Sequence, residues 1–265
     1  MIPKIIHQIW FQGVDNIPSD LLEYHYSWIN THPEYTFIVW DQHMIEKLIN
    51  TSETWIKELY YSYNKMIQKI DFAKYVILYV YGGIYIDMDI KCLKNLNILL
   101  ENNTYSAIFS VMPTAFFQQL ILLFIGHSLN NLIINNGIIF IEKNHPIMLE
   151  TIKAAYNQRD TIYKHINNFL YIFYTTGPIC LTNGVNNYTK TNPSSDNILL
   201  LDSSYFENCL SINLDTCVPP EHAIGIHLYK GSWVSLEENM LINIYKNSNL
   251  ILFFIILFII YYILK

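Results

Sequence analysis

Two aspartates stand inside an otherwise apolar run, YGGIYIDMDI, at residues 81–90. If residues 84–90 form an extended strand, Tyr85, Asp87 and Asp89 lie on one face, because side chains alternate along a strand. Their Cα atoms would be about 6–7 Å apart, and two like charges this close in a partly dry place require a counter-cation or a raised pKa. Carboxylate oxygens suit Mg²⁺ or Mn²⁺, so the spacing predicts a metal site. The alternative is an ordinary strand end with two solvated aspartates.

A second charged pair interrupts the apolar helix predicted just before this run. In IQKIDFAKYVILYVYGG, residues 67–83, Asp71 and Lys74 are three positions apart and therefore share one side of the helix. Such a pair is either a surface ion pair or part of a functional site. Gly82 and Gly83 end the helix and lead directly to the aspartates, and this fixed arrangement favours the functional interpretation.

Strands and helices alternate around these residues. Strands are predicted over residues 3–11, 35–41, 84–90, 105–111, 136–142, 197–202 and 223–229. Helices are predicted over residues 18–33, 42–50, 53–63, 64–81, 115–129 (or a lip over a site) and 234–245, and after residues 146 and 177. This order predicts an α/β fold with a mainly parallel sheet covered by helices on both faces. Ligands of such sheets bind beyond the carboxyl ends of the strands, where the aspartates would lie.

Composition narrows the possible functions. The chain has 265 residues, of which 52% are hydrophobic and 14% charged, and its formal net charge is −6. A negative net charge argues against a nucleic-acid partner, and the length suits one large domain with a substantial core. The four cysteines include no CxxC pair and are interpreted as free buried thiols: Cys92, Cys180, Cys209 and Cys217.

The last residues differ from the rest in composition. Residues 250–264, LILFFIILFIIYYIL, are all apolar or aromatic and would span about 22 Å as a helix, against a hydrocarbon core of ~30 Å. We interpret residues 247–265 as a single-pass C-terminal membrane anchor that follows a catalytic domain of residues 1–246; the alternative is a last core helix. No signal-peptide pattern is visible at the N-terminus, so the catalytic domain is expected in the cytosol, with the ER or Golgi lumen as the alternative.

The segment DFAKYVILYVYGGIYIDMD, residues 71–89, resembles the DxD region of a family of retaining glycosyltransferases. That family includes the yeast initiating α-1,6-mannosyltransferase, the inositolphosphoceramide mannosyltransferases and α-1,4-galactosyltransferases, and clostridial toxin glucosyltransferase domains are similar at the same spacing. Four further segments are similar to the family in the same order: IPKIIHQIWFQG, NNGIIFIEKNHP, TTGP and HLYKGSW. The resemblance implies a GT-A-like (Rossmann-like) fold, a Mn²⁺ or Mg²⁺ cofactor and a UDP- or GDP-hexose donor.

The resemblance also implies roles for the residues that match its motifs. Asp89 would bind the metal directly, and Asp87 would bind it through water or hold the ribose hydroxyls. His227 would be a third ligand or a diphosphate contact, and the alternative is a purely structural histidine. Asp71 and Lys74 would bind hydroxyl groups of the donor sugar. Asn136 would face the acceptor side of the reacting centre, and Asn135 is the alternative.

The nucleotide contacts follow from the same resemblance. Trp10 would stack on the base, and the π-face of a tryptophan accepts any base. His7, Gln8 and Ile9 would line the base pocket. Ser232 and Trp233 would close over the diphosphate. The chain departs from the family where Lys74 replaces the usual arginine, because an ammonium cannot reproduce a bidentate guanidinium contact. This departure bears on sugar specificity and efficiency.

The implied function is metal-dependent transfer of mannose, galactose or glucose, with retention of configuration, from a nucleotide diphosphate sugar to a lipid or glycan acceptor at a membrane. A phosphotransferase of the haloacid-dehalogenase type is one alternative, although Ile90 and Lys91 fit its motif poorly. An inactive sugar-binding or scaffold derivative is the other, and Lys74 favours it. Metal-dependent release of UDP or GDP from a nucleotide sugar distinguishes these possibilities.

Overall fold

The computed structural model describes residues 1–101, 104–113, 132–193, 197–207, 209 and 217–228. Almost all of these residues belong to one unit, Met1–Met112 with Ile134–Lys230, and a second unit comprises Pro113–Ile133 and Gly231–Lys265. The predicted helices over 115–129 and 234–245, the predicted anchor over 247–265, and Ser232 and Trp233 lie outside the described residues. Within those residues, no helix has the length and apolar character needed to cross a bilayer.

The strands of the described residues form two sheets. They are β1 (Ile5–Ile9), β2 (Thr36–Trp40), β3 (Gly83–Ile86), β4 (Ile90–Cys92), β5 (Ala107–Val111), β6 (Ile134–Ile141), β7 (Ile198–Leu201) and β8 (Gly225–His227). The larger sheet has the order β2-β1-β3-β6-β5-β7, and β4 pairs with β8 in a two-stranded sheet. In the larger sheet only β6 runs antiparallel to its neighbours, β3 and β5. The predicted α/β fold with a mainly parallel sheet is therefore confirmed.

Helices pack on both faces of the larger sheet. They are α1 (Ser19–Thr31), α2 (Gln42–Asn50), α3 (Thr54–Ser62), α4 (Met66–Tyr81), α5 (Asn97–Leu100), α6 (Pro146–Gln158), α7 (Asn168–Thr175) and α8 (Pro178–Thr191). On one face, residues of α3, α4, α6 and α8 form a core with alternate residues of the strands, such as Phe109 and Ile139. On the other face, Trp28 of α1 packs with Ile84 and Phe140. Burial on both sides explains the nearly continuous apolar runs of these strands.

Helix α4 carries the charged pair and is buried over an unbroken stretch, residues 71–78. A helix that is apolar on all sides has no face suited to solvent and is buried in the interior. Asp71 and Lys74 lie within this stretch and are themselves only 5% and 2% exposed. The interpretation of the two residues as a surface ion pair is therefore wrong.

Two glycines connect α4 to β3. The Gly82 N–H donates to the Leu78 carbonyl at 2.8 Å and ends the helix, as predicted. Gly82 and Gly83 have φ values of +65° and +97°, which side-chain-bearing residues rarely adopt. A Cβ atom on Gly82 would lie 2.8 Å from the Lys143 Cα atom. The turn therefore requires glycine both for its dihedral angles and for its close packing.

We expect Gly82→Ala to lower the free energy of unfolding by more than Gly13→Ala does. Gly13 also has a positive φ, +85°, but no described atom lies within 4 Å of a Cβ placed there. Both substitutions cost about 1–2 kcal/mol from backbone strain, and only Gly82→Ala adds a clash with backbone atoms. Urea denaturation of the two variants measures the difference, and equal losses would show that the close packing at Gly82 is unimportant.

The strand predicted over residues 84–90 is wrong in its second half. Strand β3 ends at Ile86, residues 87–89 lie outside the sheet, and β4 begins at Ile90 in the smaller sheet. The Asp87 N–H still donates to the Gly137 carbonyl of β6 at 2.8 Å, and the backbone turns after it, where the Ile90 N–H donates to the Asp87 carbonyl at 3.2 Å. Asp87 and Asp89 thus occupy a turn between two sheets rather than one face of a strand.

The cysteines divide into two pairs. Cys92 and Cys180 are free and buried, as predicted. Cys209 and Cys217 form a disulfide with their Cα atoms 5.8 Å apart, so the prediction of free thiols is wrong for these two. A disulfide depends on how close the chain brings two Cβ atoms, and the spacing of eight residues does not reveal that.

Candidate active site

The buried ammonium of Lys74 joins three parts of the chain. Its Nζ atom lies 2.9 Å from Asp71 Oδ1 on the same helix and 3.4 Å from Asp87 Oδ1 in the turn after β3. It also donates to the Asn136 backbone carbonyl on β6 at 3.2 Å, and it lies 4.6 Å from the centre of the Tyr85 ring. These contacts hold α4, β6 and the turn of the two aspartates in a fixed relation.

Asp71 is the second centre of this network. Its Oδ1 atom accepts a hydrogen bond from Asn136 Nδ2 at 3.0 Å, and its Oδ2 atom accepts one from Thr176 Oγ1 at 3.4 Å. Tyr75, one turn along α4, donates its hydroxyl to the Thr176 carbonyl at 2.6 Å. The structure thus brings together three predicted site residues, Asp71, Lys74 and Asn136, and adds Thr176 of the TTGP segment.

Burial and pairing set the charges of this network. Burial raises the pKa of Asp71 to about 6, although the Lys74 ammonium acts in the opposite direction. Burial alone would lower the pKa of Lys74, but the carboxylates of Asp87 and Asp71 outweigh it and raise that pKa above its usual value. At neutral pH the lysine is therefore a cation between two carboxylates.

The predicted metal ligands converge at the turn. Asp87, Asp89 and His227 each offer one ligand atom, and these atoms lie within 4.8 Å of one another. His227 reaches the turn because β8 pairs with β4 in a register that places His227 opposite Ile90. Its Nε2 atom is 3.3 Å from Asp89 Oδ1. Two carboxylates and an imidazole at this separation form a donor set that fits a divalent cation such as Mn²⁺.

Sequence reasoning gave no role to two residues that support this cluster. Tyr85 donates its hydroxyl to Asp87 Oδ1 at 2.7 Å, and its position on the same side as Asp87 was the available signal. Glu207 accepts a hydrogen bond from His227 Nδ1 at 3.0 Å, and no motif surrounds it. Burial would lower the pKa of His227, but the Glu207 and Asp89 carboxylates outweigh it and raise that pKa well above its usual value.

The two asparagines of β6 face different partners. Asn136 donates its side-chain amide to Asp71, while Asn135 donates to the Glu207 carboxylate. Their separation follows from the alternation of side chains along a strand. Asn136 rather than Asn135 therefore belongs to the network of the charged pair on α4.

The predicted base pocket is only partly at the surface. His7, Gln8 and Ile9 are buried, at 0%, 1% and 4% exposure, so they have little surface to offer a nucleotide. Their role in lining the base pocket stays a prediction. Trp10 is half-buried and packs against a cluster that includes Met88 of the turn.

His7 instead has a structural role. Its Nδ1 atom accepts a hydrogen bond from Trp40 Nε1 at 3.0 Å, so its Nε2 atom carries the proton that is donated to the Gly82 carbonyl at 2.9 Å. Burial lowers the pKa of His7 to about 4, against the opposing effect of the Gly82 carbonyl. A neutral His7 therefore ties β1 to the turn that ends α4.

Comparisons with known proteins identify relatives of this chain. Residues 18–106 match the family described as "Glycosyltransferase sugar-binding region containing DXD motif". The chain is 34% identical over 224 residues to an uncharacterised glycosyltransferase of Acanthamoeba polyphaga mimivirus, with 82% of this chain and 77% of that protein covered. It is 29% identical over 181 residues to inositol phosphoceramide mannosyltransferase 3 of Schizosaccharomyces pombe, with 68% of this chain and 44% of that protein covered.

Among solved structures, the chain is similar to the galactosyltransferase LgtC in complex with donor and acceptor sugar analogs. The TM-score is 0.46 at 14% identity, over 84% of this chain and 86% of that chain. The alignment with the viral relative has 34% identical residues and covers most of both chains. The matched family segment contains the charged pair of α4 and both aspartates of the turn. The chain therefore belongs to the family of glycosyltransferases with a DXD-containing sugar-binding region.

Proposed function

We propose that this glycosyltransferase is metal-dependent and retaining, and that it moves a hexose from a nucleotide diphosphate sugar to a lipid or glycan acceptor. The convergence of Asp87, Asp89 and His227, with ligand atoms within 4.8 Å of one another, is the observation that supports metal dependence. Retention and a GT-A-like architecture are supported by the resemblance of residues 71–89 to retaining enzymes. The phosphotransferase alternative is wrong, because the chain belongs to a glycosyltransferase family.

The donor set fits Mn²⁺ better than Mg²⁺. Carboxylates suit both ions, but Mg²⁺ in proteins is usually held by carboxylates, water and phosphate, whereas imidazole suits transition metals. Asp87, Asp89 and His227 would hold the ion. When bound, it neutralises the negative charge that develops on a diphosphate leaving group, as a Lewis acid does.

The buried network of α4 would position the donor sugar. Lys74 contacts Asp71 and Asp87 at the same time, so it fixes the distance between the sugar-binding acid and the metal-binding acid. We infer that this bridging replaces the bidentate contact that an arginine would make here. Asp71 would then bind hydroxyls of the sugar, Asn136 would face the reacting centre on the acceptor side, and half-buried Trp10 would stack on the base.

Mannose is the first sugar to test, because the fission-yeast relative is named an inositol phosphoceramide mannosyltransferase. The same name suggests a lipid acceptor. A lipid acceptor and the apolar residues 250–264 together support a membrane location through a C-terminal anchor. The disulfide between Cys209 and Cys217 favours the ER or Golgi lumen over the cytosol for the catalytic domain, since disulfides persist in oxidising compartments.

The proposal predicts donor turnover that requires a metal. The full chain in detergent would be incubated with GDP-mannose, UDP-galactose or UDP-glucose, with Mn²⁺ or with EDTA, and the released nucleoside diphosphate would be measured. We expect release from at least one donor with Mn²⁺, its loss in EDTA and its recovery when Mn²⁺ is restored. An inactive sugar-binding derivative would release nothing from any donor, even with inositol phosphoceramide present as acceptor. Equal release in EDTA would contradict metal dependence.

A further inference from the structure

A buried carboxylate lies directly behind the histidine of the metal cluster. Glu207 follows the short 3₁₀ helix Ser203–Tyr205, and the backbone there runs beside β8. The His227 N–H donates to the Phe206 carbonyl at 3.0 Å, and the Ile224 N–H donates to the Tyr205 carbonyl at 2.9 Å. The backbone itself therefore places the Glu207 side chain next to the His227 ring.

The contacts of Glu207 converge on one of its oxygens. Its Oε1 atom accepts a hydrogen bond from His227 Nδ1 at 3.0 Å and another from Asn135 Nδ2. Asn135 is fixed in turn, because its Oδ1 atom accepts the Gly137 N–H at 2.7 Å. The Glu207 side chain has 0% exposure, and its Oε2 atom has no hydrogen-bond partner among the residues that the structure describes. A carboxylate this buried costs free energy, so its presence calls for a role other than stability.

The chemistry of the pair defines which nitrogen of His227 can bind a metal. Glu207 Oε1 is the acceptor in this pair, as it is for the Asn135 amide, so Nδ1 carries the proton. The other nitrogen, Nε2, is on the side of Asp89, 3.3 Å from its Oδ1 atom. Metal-binding histidines commonly donate their second N–H to a carboxylate, which fixes the tautomer and the ring orientation and increases the basicity of the ligand.

We propose that Glu207 is a positioning residue for the metal site, which directs Nε2 of His227 towards the cation held with Asp87 and Asp89. This inference rests on the metal dependence proposed above. It extends the site to Glu207 and Asn135, neither of which would contact the cation. It also implies that the segment before β8, and not only β8 itself, must fold correctly for the site to form.

The test measures Mn²⁺ binding to the full chain rather than turnover. Free Mn²⁺ would be followed by electron paramagnetic resonance during titration of wild type, Glu207→Gln and the control Glu23→Gln. Glu23 is an exposed carboxylate that pairs with Lys91 of β4, the strand next to β8, at 2.9 Å. We expect Glu207→Gln to raise the Kd for Mn²⁺ about 10–100-fold and Glu23→Gln to leave it unchanged.

A second pair of variants separates positioning from a purely structural role. In a His227→Ala background, Glu207→Gln should change the Kd for Mn²⁺ less than 3-fold (on the order of experimental error), since the group it positions is gone. A structural residue would instead lower the Tm of the metal-free protein and leave the Kd of the folded protein unchanged, which would overturn the inference. If Glu207→Gln does not fold, Glu207→Asp takes its place, and an unchanged Kd overturns the inference equally. Failure of wild type to bind Mn²⁺ would instead refute the proposed metal dependence.

Discussion

Asp89→Asn is expected to lower metal-dependent donor turnover at least about 100-fold while the protein remains folded. An amide has no charge with which to hold a hard cation, and loss of one ligand or transition-state contact worth about 2.7 kcal/mol or more gives a loss of this size. Asp89 belongs to the cluster with Asp87 and His227. The measurement is nucleoside diphosphate release at increasing Mn²⁺ concentration.

The control for this variant is Asp160→Asn. Asp160 is also an aspartate with a cationic partner, Arg159, at 3.2 Å, but it is 80% exposed and lies outside the cluster. We expect it to keep wild-type turnover. Thermal unfolding should show that Asp89→Asn is folded, because relief of the repulsion between the two carboxylates offsets the lost ion pair of Asp89 with His227 at the metal-free site. Wild-type turnover of Asp89→Asn at saturating Mn²⁺ would refute the metal assignment.

Lys74→Ala is expected to lower the free energy of unfolding by about 3–5 kcal/mol and to abolish donor turnover. The ammonium is 2% exposed and lies between Asp71 at 2.9 Å and Asp87 at 3.4 Å. Its removal leaves two nearby carboxylates without a counter-charge, and Asp71 is itself buried. Breaking a buried pair from one side costs far more than the net stability of the pair, because the remaining charge keeps its desolvation penalty.

The chain contains a matched control for Lys74→Ala. Lys153 and Glu150 on α6 form a pair with the same spacing of three residues and nearly the same distance, 2.8 Å, but their side chains are 49% and 30% exposed. Lys153→Ala should cost less than about 1 kcal/mol, as exposed pairs do. Urea denaturation of both variants, with wild type, gives the comparison. Similar losses from the two substitutions would show that burial of the Lys74 pair has no energetic consequence.

Lys74→Arg addresses the departure of this chain from its family. This substitution preserves the charge between the two acids, so we expect donor turnover to be retained or increased. Lys74→Ala, in contrast, is expected to abolish it. The larger side chain enters a buried position, and overpacking there costs about 1–3 kcal/mol of stability. Turnover with each donor of the panel, together with urea denaturation, separates the two effects. Equal kinetics for the wild-type, Lys74→Arg and Lys74→Ala proteins would show that this position does not contribute to donor use.

The prediction of one strand over residues 84–90 failed for an identifiable physical reason. Ile84, Ile86 and Ile90 pack in one core cluster, while Met88 packs in another with Ile17 and Leu21. The apolar alternation continues through the turn because each of these side chains is buried by some partner. A period of two indicates burial, and it does not reveal that residues 84–86 and residue 90 belong to different sheets.

The sequence pattern also did not predict how deeply the residues of β1 are buried. The resemblance placed His7, Gln8 and Ile9 in the right strand, and β1 covers these residues. Whether a residue at the carboxyl end of a strand faces a crevice or the core depends on the elements packed above it. Here Trp40 and the Gly82 turn bind both ring nitrogens of His7, so its side chain is held in the core.

The amino-acid sequence alone is sufficient to predict the features that arise within a few residues along the chain. The spacing of Asp71 and Lys74 on one helix, the stop at Gly82, and the proximity of the two aspartates follow from helical geometry and backbone dihedral preferences, which neighbouring residues control. Long-range packing determines which residues those features contact. Asn136 is 65 residues from Asp71, and Glu207 is 20 residues from His227. Such contacts depend on which surfaces pack together. The same packing buries the Lys74 pair and the Glu207 carboxylate, and no local sequence pattern specifies it.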